Sequence, residues 1–365
     1  MTMWTCIPCK RFWHYPLKRC AYCGKDLAEE SAKTLTVIGV TEVLVPSVEH
    51  PDVPYFVLLL EDEKGFRHLR KSMDPQKVGD VLDVKPATNA FARIGIIGTG
   101  AMASGIAMSC LKAGMPVIVK SRKQETLNRF QENIALKLKK NLSEEAVNET
   151  LTRLELTTDY AKLKNCDIVI ENVIEKLDAK QDVFEALEKH CGPNTILATN
   201  TSSLLVSSLA PLVKKPERVI GLHFFNPVEK MRLAEVIAGE NTSMETVRKT
   251  REIAEAMGKT AVQVKDAPGF IVNRVLFPFL NEAVLLLENE TANAEDIDAA
   301  VKMGLNHPMG PLALIDLIGV DVFVEIMDNL KEETKEQKFE VASLARKMVK
   351  EGKLGRKTRQ GFYAY

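Results

Sequence analysis

The chain has 365 residues, a formal net charge of zero at pH 7 and a 45% share of hydrophobic residues. This length allows about two or three domains with separate cores, and the balanced charge argues against nucleic acid or an anionic membrane as the main partner. The longest apolar runs, such as residues 55–60, are too short to span a bilayer. Because the N-terminus lacks the basic and apolar regions of a signal peptide, we expect a cytoplasmic protein.

The first 30 residues contain two Cys-x-x-Cys pairs, Cys6 with Cys9 and Cys20 with Cys23. Two such pairs can form a tetrahedral thiolate shell around zinc, and four cysteine ligands leave no open position, so the predicted ion is structural. An iron site of the rubredoxin type is one alternative. A pair of disulfides is another, which a reducing cytoplasm disfavours. Residues 1–30 are therefore predicted to form a zinc ribbon.

Residues 31–88 contain short runs typical of strands, separated by proline and glycine turn signals. The runs are residues 34–45, 55–61, 66–70 and 81–84. They predict a small barrel or sandwich, followed by a linker at residues 86–90. A ribbon and barrel of this kind resemble the zinc-ribbon and OB-fold domains that accompany thiolases and other acyl-CoA enzymes. The resemblance implies acyl-CoA chemistry and a thiolase or another acyl-CoA enzyme as partner.

Residues 93–107 combine a short apolar run, a glycine turn and the start of a helical pattern. Gly98 would form the tight turn, Gly100 would let a pyrophosphate approach the backbone, and Ala103 would allow close packing of the helix. Ala101 and Met102 would begin that helix, whose N-terminus favours an anion. The stretch therefore predicts a dinucleotide-binding turn.

The chain from residue 91 to 275 alternates strand-like runs with helical stretches. The strand-like runs are residues 94–97, 117–119, 167–170, 195–198 and 219–222. This alternation predicts an α/β fold with a parallel sheet wound on both faces and a dinucleotide at the carboxyl ends of the strands. From residue 276 to 365 the pattern is helical, so a separate all-α domain is predicted there.

The end of the second strand indicates which dinucleotide is bound. An acidic residue about 20 positions after the glycines would bind the ribose 2′-hydroxyl of NAD. Here the strand ends in Ser121 and Arg122, and a hydroxyl with a cationic side chain suits the 2′-phosphate of NADP. NADP is therefore predicted over NAD, the alternative being a solvated turn that has lost the acidic residue by drift.

Residues 92–365 resemble the L-3-hydroxyacyl-CoA dehydrogenases through motifs that follow one another in the family's order. These are DIVIENVIE from residue 167, ATNTSSL from 198, GLHFFNPV from 221, PGFIVNR from 268, HPMGP from 307 and GRKTRQGFY from 355. The resemblance implies a Rossmann-type domain at residues 91–275, a helical substrate and dimerisation domain at 276–365, a homodimer, and interconversion of 3-hydroxyacyl-CoA and 3-ketoacyl-CoA.

The chemistry of the reaction fits two residues of these motifs. Oxidation of a secondary alcohol needs a base for the hydroxyl proton, and imidazole titrates near neutrality. His223 directly follows a predicted strand, and Glu235 lies twelve residues further on. A carboxylate beside the imidazole would fix its tautomer and stabilise the imidazolium.

The remaining candidate site residues are carried over from the family. Ser202 and Asn273 would bind the reacting oxygen or the thioester carbonyl, and Asn226 would position substrate or nicotinamide. Other matching positions would line the cofactor: Glu175, Lys180, Asn200 and Lys357. Lys137 and Lys140, on the helix that meets the CoA moiety in the family, would pair with its phosphates; a solvated helix face explains them equally well.

Two other functions are compatible with the same sequence. A sugar-acid dehydrogenase would share the histidine and glutamate but would act on a free hydroxy acid. A scaffold with a vestigial dehydrogenase fold would bind a thiolase or nucleic acid through the ribbon. Intact His223, Glu235, Asn273 and glycine turn argue against the scaffold.

Overall fold

The computed structural model describes residues 2–6, 11–13, 28–31, 34–44, 55–62, 65, 67–72, 75–83, 92–140 and 142–365. The chain divides into two compact units, residues 1–91 and 92–365. Among the described residues, no helix combines the length and the apolar composition that crossing a bilayer requires.

The first unit contains two antiparallel sheets. In one, β1 (Thr2–Cys6) lies between β2 (Arg11–Trp13) and β3 (Ala28–Ser31). The other has the order β6-β5-β4-β7, with β4 Thr34–Val43, β5 Tyr55–Asp62, β6 Arg67–Ser72 and β7 Val81–Asp83.

The predicted zinc ribbon and OB-like barrel of this unit are not confirmed. Cys6 ends β1, whereas Cys9, Cys20 and Cys23 lie outside the described residues. The described part of the chain holds no cluster of three or more histidine, cysteine or acidic residues that could bind a metal. Strands do occur close to the four predicted runs, because alternate residues of β4 and β5 such as Leu35, Val37, Leu58 and Leu60 bury one face of the sheet.

The second unit is built on an eight-stranded sheet with the spatial order β10-β9-β8-β11-β12-β13-β14-β15. The strands are β8 Ile94–Ile97, β9 Val117–Lys120, β10 Leu154–Thr157, β11 Ile168–Glu171, β12 Ile196–Thr199, β13 Val219–Phe224, β14 Leu233–Ala238 and β15 Thr260–Lys265. β8 lies between β9 and β11. After β8 the chain adds β9 and β10 on one side of it, and then crosses over to add β11 and β12 on the other side. The carboxyl ends of β8 and β11 therefore border the crevice in which this class of sheet binds ligands.

Helices cover both faces of this sheet, which explains the nearly continuous burial of β8, β9, β11 and β12. One face packs against α1 (Ala101–Lys112), α2 (Gln124–Lys139), α3 (Glu144–Leu151) and α5 (Met244–Ala256). The other face packs against α4 (Leu177–His190) and several short 3-10 turns. The Rossmann-type fold is thereby confirmed.

The five predicted strands are all parallel, but the sheet continues past the last of them with an antiparallel pair. β14 runs antiparallel to β13, and the pairing places His223 directly opposite Glu235. β14 and β15, which the strand-like runs did not predict, extend the sheet beyond β13. Directly paired residues point to the same face of a sheet, so this register alone brings the two side chains together.

The helical domain is also confirmed. It consists of α6 (Val272–Glu288), α7 (Ala294–Gly304), α8 (Pro311–Ile318), α9 (Val320–Thr334) and α10 (Ser343–Lys350). Residues of α6 at helical spacing, among them Phe277, Leu280 and Val284, are buried against the other helices. The amides of Ile271 and Val272, at the start of α6, donate to Glu235, so this end of the domain contacts the predicted active site.

Candidate active site

The turn between β8 and α1 has the geometry that a pyrophosphate requires. Gly98 has φ +105°, and a Cβ there would lie 2.8 Å from the backbone oxygen of Asn172, so a larger residue is excluded. Gly100 is the N-cap of α1, and a Cβ there would meet no atom within 4 Å. The backbone in front of the helix is therefore open to a ligand, at the end where unpaired amides favour an anion.

The first turn of α1 places the other residues of the glycine motif. Ala101 is exposed and Met102 is half-buried, whereas Ala103 is fully buried in the core beside the sheet. Ala103 thus has the packing role that the sequence predicted for it. These positions fit a dinucleotide, since the turn leaves open space for the pyrophosphate while α1 packs closely against the sheet.

The carboxyl end of β9 presents a hydroxyl and a cation. The Ser121 hydroxyl lies 2.7 Å from the hydroxyl of Thr126, and the exposed Arg122 makes no hydrogen bond or ion pair with any described residue. Lys120 is buried, with its ammonium 3.5 Å from the centre of the Tyr160 ring. Burial, together with the charge of Arg122, lowers the pKa of Lys120 below its ordinary value.

His223 and Glu235 form a buried pair. Nδ1 of His223 lies 2.7 Å from Oε2 of Glu235, and the two residues are only 4% and 1% exposed. The other carboxylate oxygen, Oε1, accepts hydrogen bonds from the backbone amides of Ile271 (3.1 Å) and Val272 (3.0 Å). A carboxylate with all these partners is held in one orientation, and Nε2 is left as the ring nitrogen available for proton transfer.

Two aromatic rings enclose the imidazole of His223. Its ring centre lies 4.6 Å from that of Phe225 and 5.7 Å from that of Phe270. Phe270 is buried and has the left-handed φ of 50°. The rings limit the movement of the imidazole.

Two of the predicted asparagines lie near the end of β12, Asn200 directly after the strand and Asn273 in the first turn of α6. Oδ1 of Asn200 accepts from the Phe224 amide at 2.8 Å, and its Nδ2 donates to Oδ1 of Asn172 at 2.9 Å. Asn273 donates from Nδ2 to the Ser202 backbone oxygen at 3.2 Å. The structure thus brings Asn200 beside the strand that carries His223, and brings Asn273 to Ser202.

The hydroxyl of Ser202 has no hydrogen-bond partner within the described residues, and it is half-buried. Asn226 is exposed, three residues after His223. Both side chains are therefore available for a ligand.

Lys180 is fully buried and pairs with one buried carboxylate, that of Glu171, and one partly exposed carboxylate, that of Glu175. The Lys180 ammonium lies 2.8 Å from Oε2 of Glu171 and 3.2 Å from Oε2 of Glu175. Oε1 of Glu175 accepts from the Thr201 hydroxyl at 2.5 Å and from the Ser202 and Ser203 amides at 2.7 and 3.1 Å. Burial opposes ionisation of Glu175, but Lys180 and these donors outweigh it and hold the pKa of Glu175 below its ordinary value.

The three predicted lysines away from this network have different surroundings. Lys137 in α2 bonds Oε1 of Glu229 at 2.9 Å and the Ser104 hydroxyl at 3.2 Å. Lys140 is exposed at the end of the same helix. Lys357 pairs with Asp321 in the helical domain.

Several residues of the site were missed from the sequence. Glu171 is 0% exposed and accepts from Lys180 and from the hydroxyl of Thr199 (2.7 Å). Asn172, Thr201 and Phe270 contribute the contacts described above. A charged residue that directly ends an apolar run was the available signal for Glu171; Phe270 offered none.

Two family models match nearly all of the second unit. The model for the NAD-binding domain of 3-hydroxyacyl-CoA dehydrogenase matches residues 93–267, and the model for the C-terminal domain matches residues 269–365. The chain belongs to the 3-hydroxyacyl-CoA dehydrogenase family. It is thus an oxidoreductase with a nicotinamide-binding domain, and the resemblance found in the sequence is confirmed.

Individual members of the 3-hydroxyacyl-CoA dehydrogenase family agree with this assignment. A 3-hydroxybutyryl-CoA dehydrogenase of Clostridioides difficile is 43% identical over 75% of this chain and 99% of its own length. The human mitochondrial hydroxyacyl-coenzyme A dehydrogenase is 39% identical over 74% of this chain and 90% of its own. The crystal structure of (S)-3-hydroxybutyryl-CoA dehydrogenase from Ralstonia eutropha has a TM-score of 0.73 and 39% identity, covering 75% of this chain and 99% of that one.

Proposed function

We propose that the protein interconverts L-3-hydroxyacyl-CoA and 3-ketoacyl-CoA, with NADP as the preferred cofactor and His223 as the acid and base. The observation that carries the proposal is the buried pair of His223 and Glu235 at the carboxyl edge of the sheet. The names of the relatives support an acyl-CoA substrate.

His223 moves the proton in this reaction. In the oxidative direction its Nε2 takes the proton of the substrate hydroxyl, while a hydride leaves the carbon atom that carries this hydroxyl. The nicotinamide, when bound, supplies the hydride acceptor. Glu235 keeps the other ring nitrogen protonated and stabilises the imidazolium that forms. In the reductive direction the same Nε2 returns the proton to the oxygen.

The substrate oxygen needs donors next to His223. The unpartnered hydroxyl of Ser202 is suited to bind the reacting oxygen or the thioester carbonyl, and Asn273 holds the backbone of Ser202 in place. Asn226, exposed three residues after His223, is positioned to orient substrate or nicotinamide. Because Asn273 holds the backbone of Ser202, the serine hydroxyl needs little reorganisation to meet the substrate oxygen.

Ser121 and Arg122 support NADP over NAD. The arginine has no partner among the described residues, and no carboxylate occurs between residues 120 and 124. Arg122 would pair with a 2′-phosphate and Ser121 would donate to it. Four further residues are proposed to lie around the cofactor: Glu175, Lys180, Asn200 and Lys357. The first three would act by holding the loops that line the cofactor.

A turnover assay with acetoacetyl-CoA tests the proposal. We expect oxidation of NADPH with a higher kcat/KM than of NADH. His223→Gln, which removes the base at similar size, should lower kcat by about 100-fold or more. His190→Gln, on the exposed end of α4, is the matched control. Near-full activity of His223→Gln would refute the mechanism, and a preference for NADH would refute the cofactor assignment alone.

Four further assignments remain proposals. Cys6, Cys9, Cys20 and Cys23 would bind one structural zinc, with iron as the alternative, and metal analysis distinguishes them. Lys137 and Lys140 would lie along the CoA phosphates.

The helical domain would form a homodimer, since it exposes large apolar side chains such as Val275, Met303 and Leu317. A thiolase or related enzyme is the proposed partner of the first unit.

A further inference from the structure

Lys120 is a buried cation for which the described residues provide no anion. The residue is 5% exposed, and its ammonium lies 3.5 Å from the centre of the Tyr160 ring. The ammonium makes no hydrogen bond or ion pair with any described residue. A buried charge is costly unless another group compensates it, and the face of one aromatic ring compensates only part of that cost.

The charge that acts on Lys120 is a second cation, that of Arg122. Burial is the larger cause of the lowered pKa of Lys120, and the charge of Arg122 is the smaller one. Arg122 is exposed, and no described residue forms an ion pair with it either. Two neighbouring cations without a carboxylate repel each other, so an anion bound beside them would stabilise both.

Lys120 adjoins the glycine turn that is suited to a pyrophosphate. It is the last residue of β9, and its backbone oxygen accepts from the amide of Gly98 at 2.9 Å. In a sheet of this class the end of the second strand lies beside the ribose of the adenosine half of the dinucleotide. Tyr160 begins the 3-10 turn that follows β10, the neighbour of β9. The ammonium therefore lies where the chain leaves these two strands, on the adenosine side of the glycine turn.

Tyr160 holds the ammonium without using its donors for an oxygen atom. A lysine ammonium has three N–H donors, and the ring occupies only one side of it. Asp159, the acidic residue next to Tyr160, is engaged in the turn itself, where its Oδ1 accepts from the amide of Ala161 at 2.8 Å. Donors of Lys120 thus remain for a ligand.

We propose that Lys120 is a third ligand of the cofactor 2′-phosphate, beside Ser121 and Arg122, and thereby a specificity-determining residue for NADP. The inference rests on the NADP assignment made above and adds a residue to it. A lysine ammonium is a compact charge that suits a phosphate. NAD carries a hydroxyl at that position and would leave the buried cation without an anion, so Lys120 would also act against NAD.

Binding of two nucleotides to the full chain, measured by titration calorimetry, tests the role of Lys120. Adenosine 2′,5′-bisphosphate and adenosine 5′-monophosphate differ only in the 2′-phosphate, and the unchanged protein should bind the bisphosphate more tightly. Lys120→Met keeps most of the volume and removes the charge, so this preference should fall by about tenfold or more. Lys164→Met removes an exposed charge from the turn that begins with Tyr160 and should leave the preference unchanged.

Two results would contradict the proposal, and they differ in what they say about NADP. A preference for the bisphosphate that persists in folded Lys120→Met would overturn the role of Lys120 and leave the NADP assignment intact. Equal binding of the two nucleotides to the unchanged protein would overturn both. Neither result depends on turnover, so the acid and base role of His223 is tested separately.

A second measurement covers the case in which Lys120→Met does not fold. It is carbon NMR of the unchanged protein with lysine labelled at Cε, in which the nearby ring of Tyr160 shifts and so identifies the signal of Lys120. We expect this signal to move when the bisphosphate is added and to stay constant with the monophosphate. A signal that the bisphosphate leaves unchanged, or that both nucleotides move equally, would overturn the proposal.

Discussion

Lys180 is a completely buried lysine whose ammonium lies between two carboxylates, those of Glu171 and Glu175. Glu171 is equally buried and also accepts from Thr199 and from the amide of Val173. Such a network is costly to bury but also costly to break, because removal of one partner leaves an uncompensated charge in the interior. It holds the end of β11 next to the loop that carries Ser202.

Replacement of this lysine should therefore destabilise the protein. Lys180→Met keeps most of the volume and removes the charge, so we expect a loss of about 3–5 kcal/mol in the free energy of unfolding. Denaturant unfolding of the full chain, followed by circular dichroism, measures it.

Lys249→Met is the matched control. Lys249 pairs with Glu245 at 2.7 Å on the exposed face of α5, and its side chain is 47% exposed. An exposed pair contributes at most about 1 kcal/mol, so this variant should unfold close to the unchanged protein. Equal effects of the two substitutions would show that the buried network has no special role.

The roles of individual residues differ in how well the sequence predicts them. His223 and Glu235 were predictable because the chemistry requires both and the motif gives their spacing. The role of Glu171 depends on Lys180, nine residues away, and on Thr199, 28 residues away. Contacts of this kind follow from the arrangement of strands, which no local pattern contains.

The turn between β9 and α2 is the element on which cofactor choice depends. Ser121→Asp would place a carboxylate where a ribose 2′-hydroxyl would lie, and it would repel a 2′-phosphate. We expect the ratio of kcat/KM for NADPH to that for NADH to fall by about tenfold or more, which corresponds to about 1.4 kcal/mol. Steady-state kinetics with both cofactors measure the ratio.

Asn128→Asp adds the same charge on an exposed face of α2, one turn further along the helix. The ratio should hardly change in this variant, because solvent and salt screen a charge at that distance. If Ser121→Asp also left the ratio unchanged, the turn would not contact the ribose, and the assignment of NADP would lose its basis.

At the level of strands, apolar runs predicted the centre of the sheet and not its edges. β8 coincides with the predicted residues 94–97, since it is buried on both faces. β10, with the sequence LELT, is partly exposed and has only four residues, so its apolar signal is weak. The reversed direction of β14 depends on a short connection after β13, and apolar content carries no information about strand direction.

On the scale of the whole molecule, the residues assigned to the reaction all lie in the second unit. Both family models begin at or after residue 93, and the Clostridioides difficile relative aligns over 99% of its length with 75% of this chain. The first unit, residues 1–91, has its own apolar cluster. The sequence predicted strands in this unit, but its ribbon and barrel remain predictions.

We therefore expect residues 92–365 alone to retain the reaction. Their kcat/KM with acetoacetyl-CoA and NADPH should stay within a few-fold of the full chain, because relatives of this length are complete proteins. The same fragment with His223→Gln is the negative control. A folded fragment with much lower activity would assign part of the active site to the first unit.

The direct pairing of His223 with Glu235 across β13 and β14 also determines which insertions the protein tolerates. One added residue within either strand would move the side chains on one side of the insertion to the opposite face of the sheet. His223 and Glu235 would then point to different faces. An added residue in the connecting loop leaves the strands unchanged, so the loop is free to vary in length during evolution. Insertions in natural relatives should therefore accumulate between the two strands and be absent from the strands themselves.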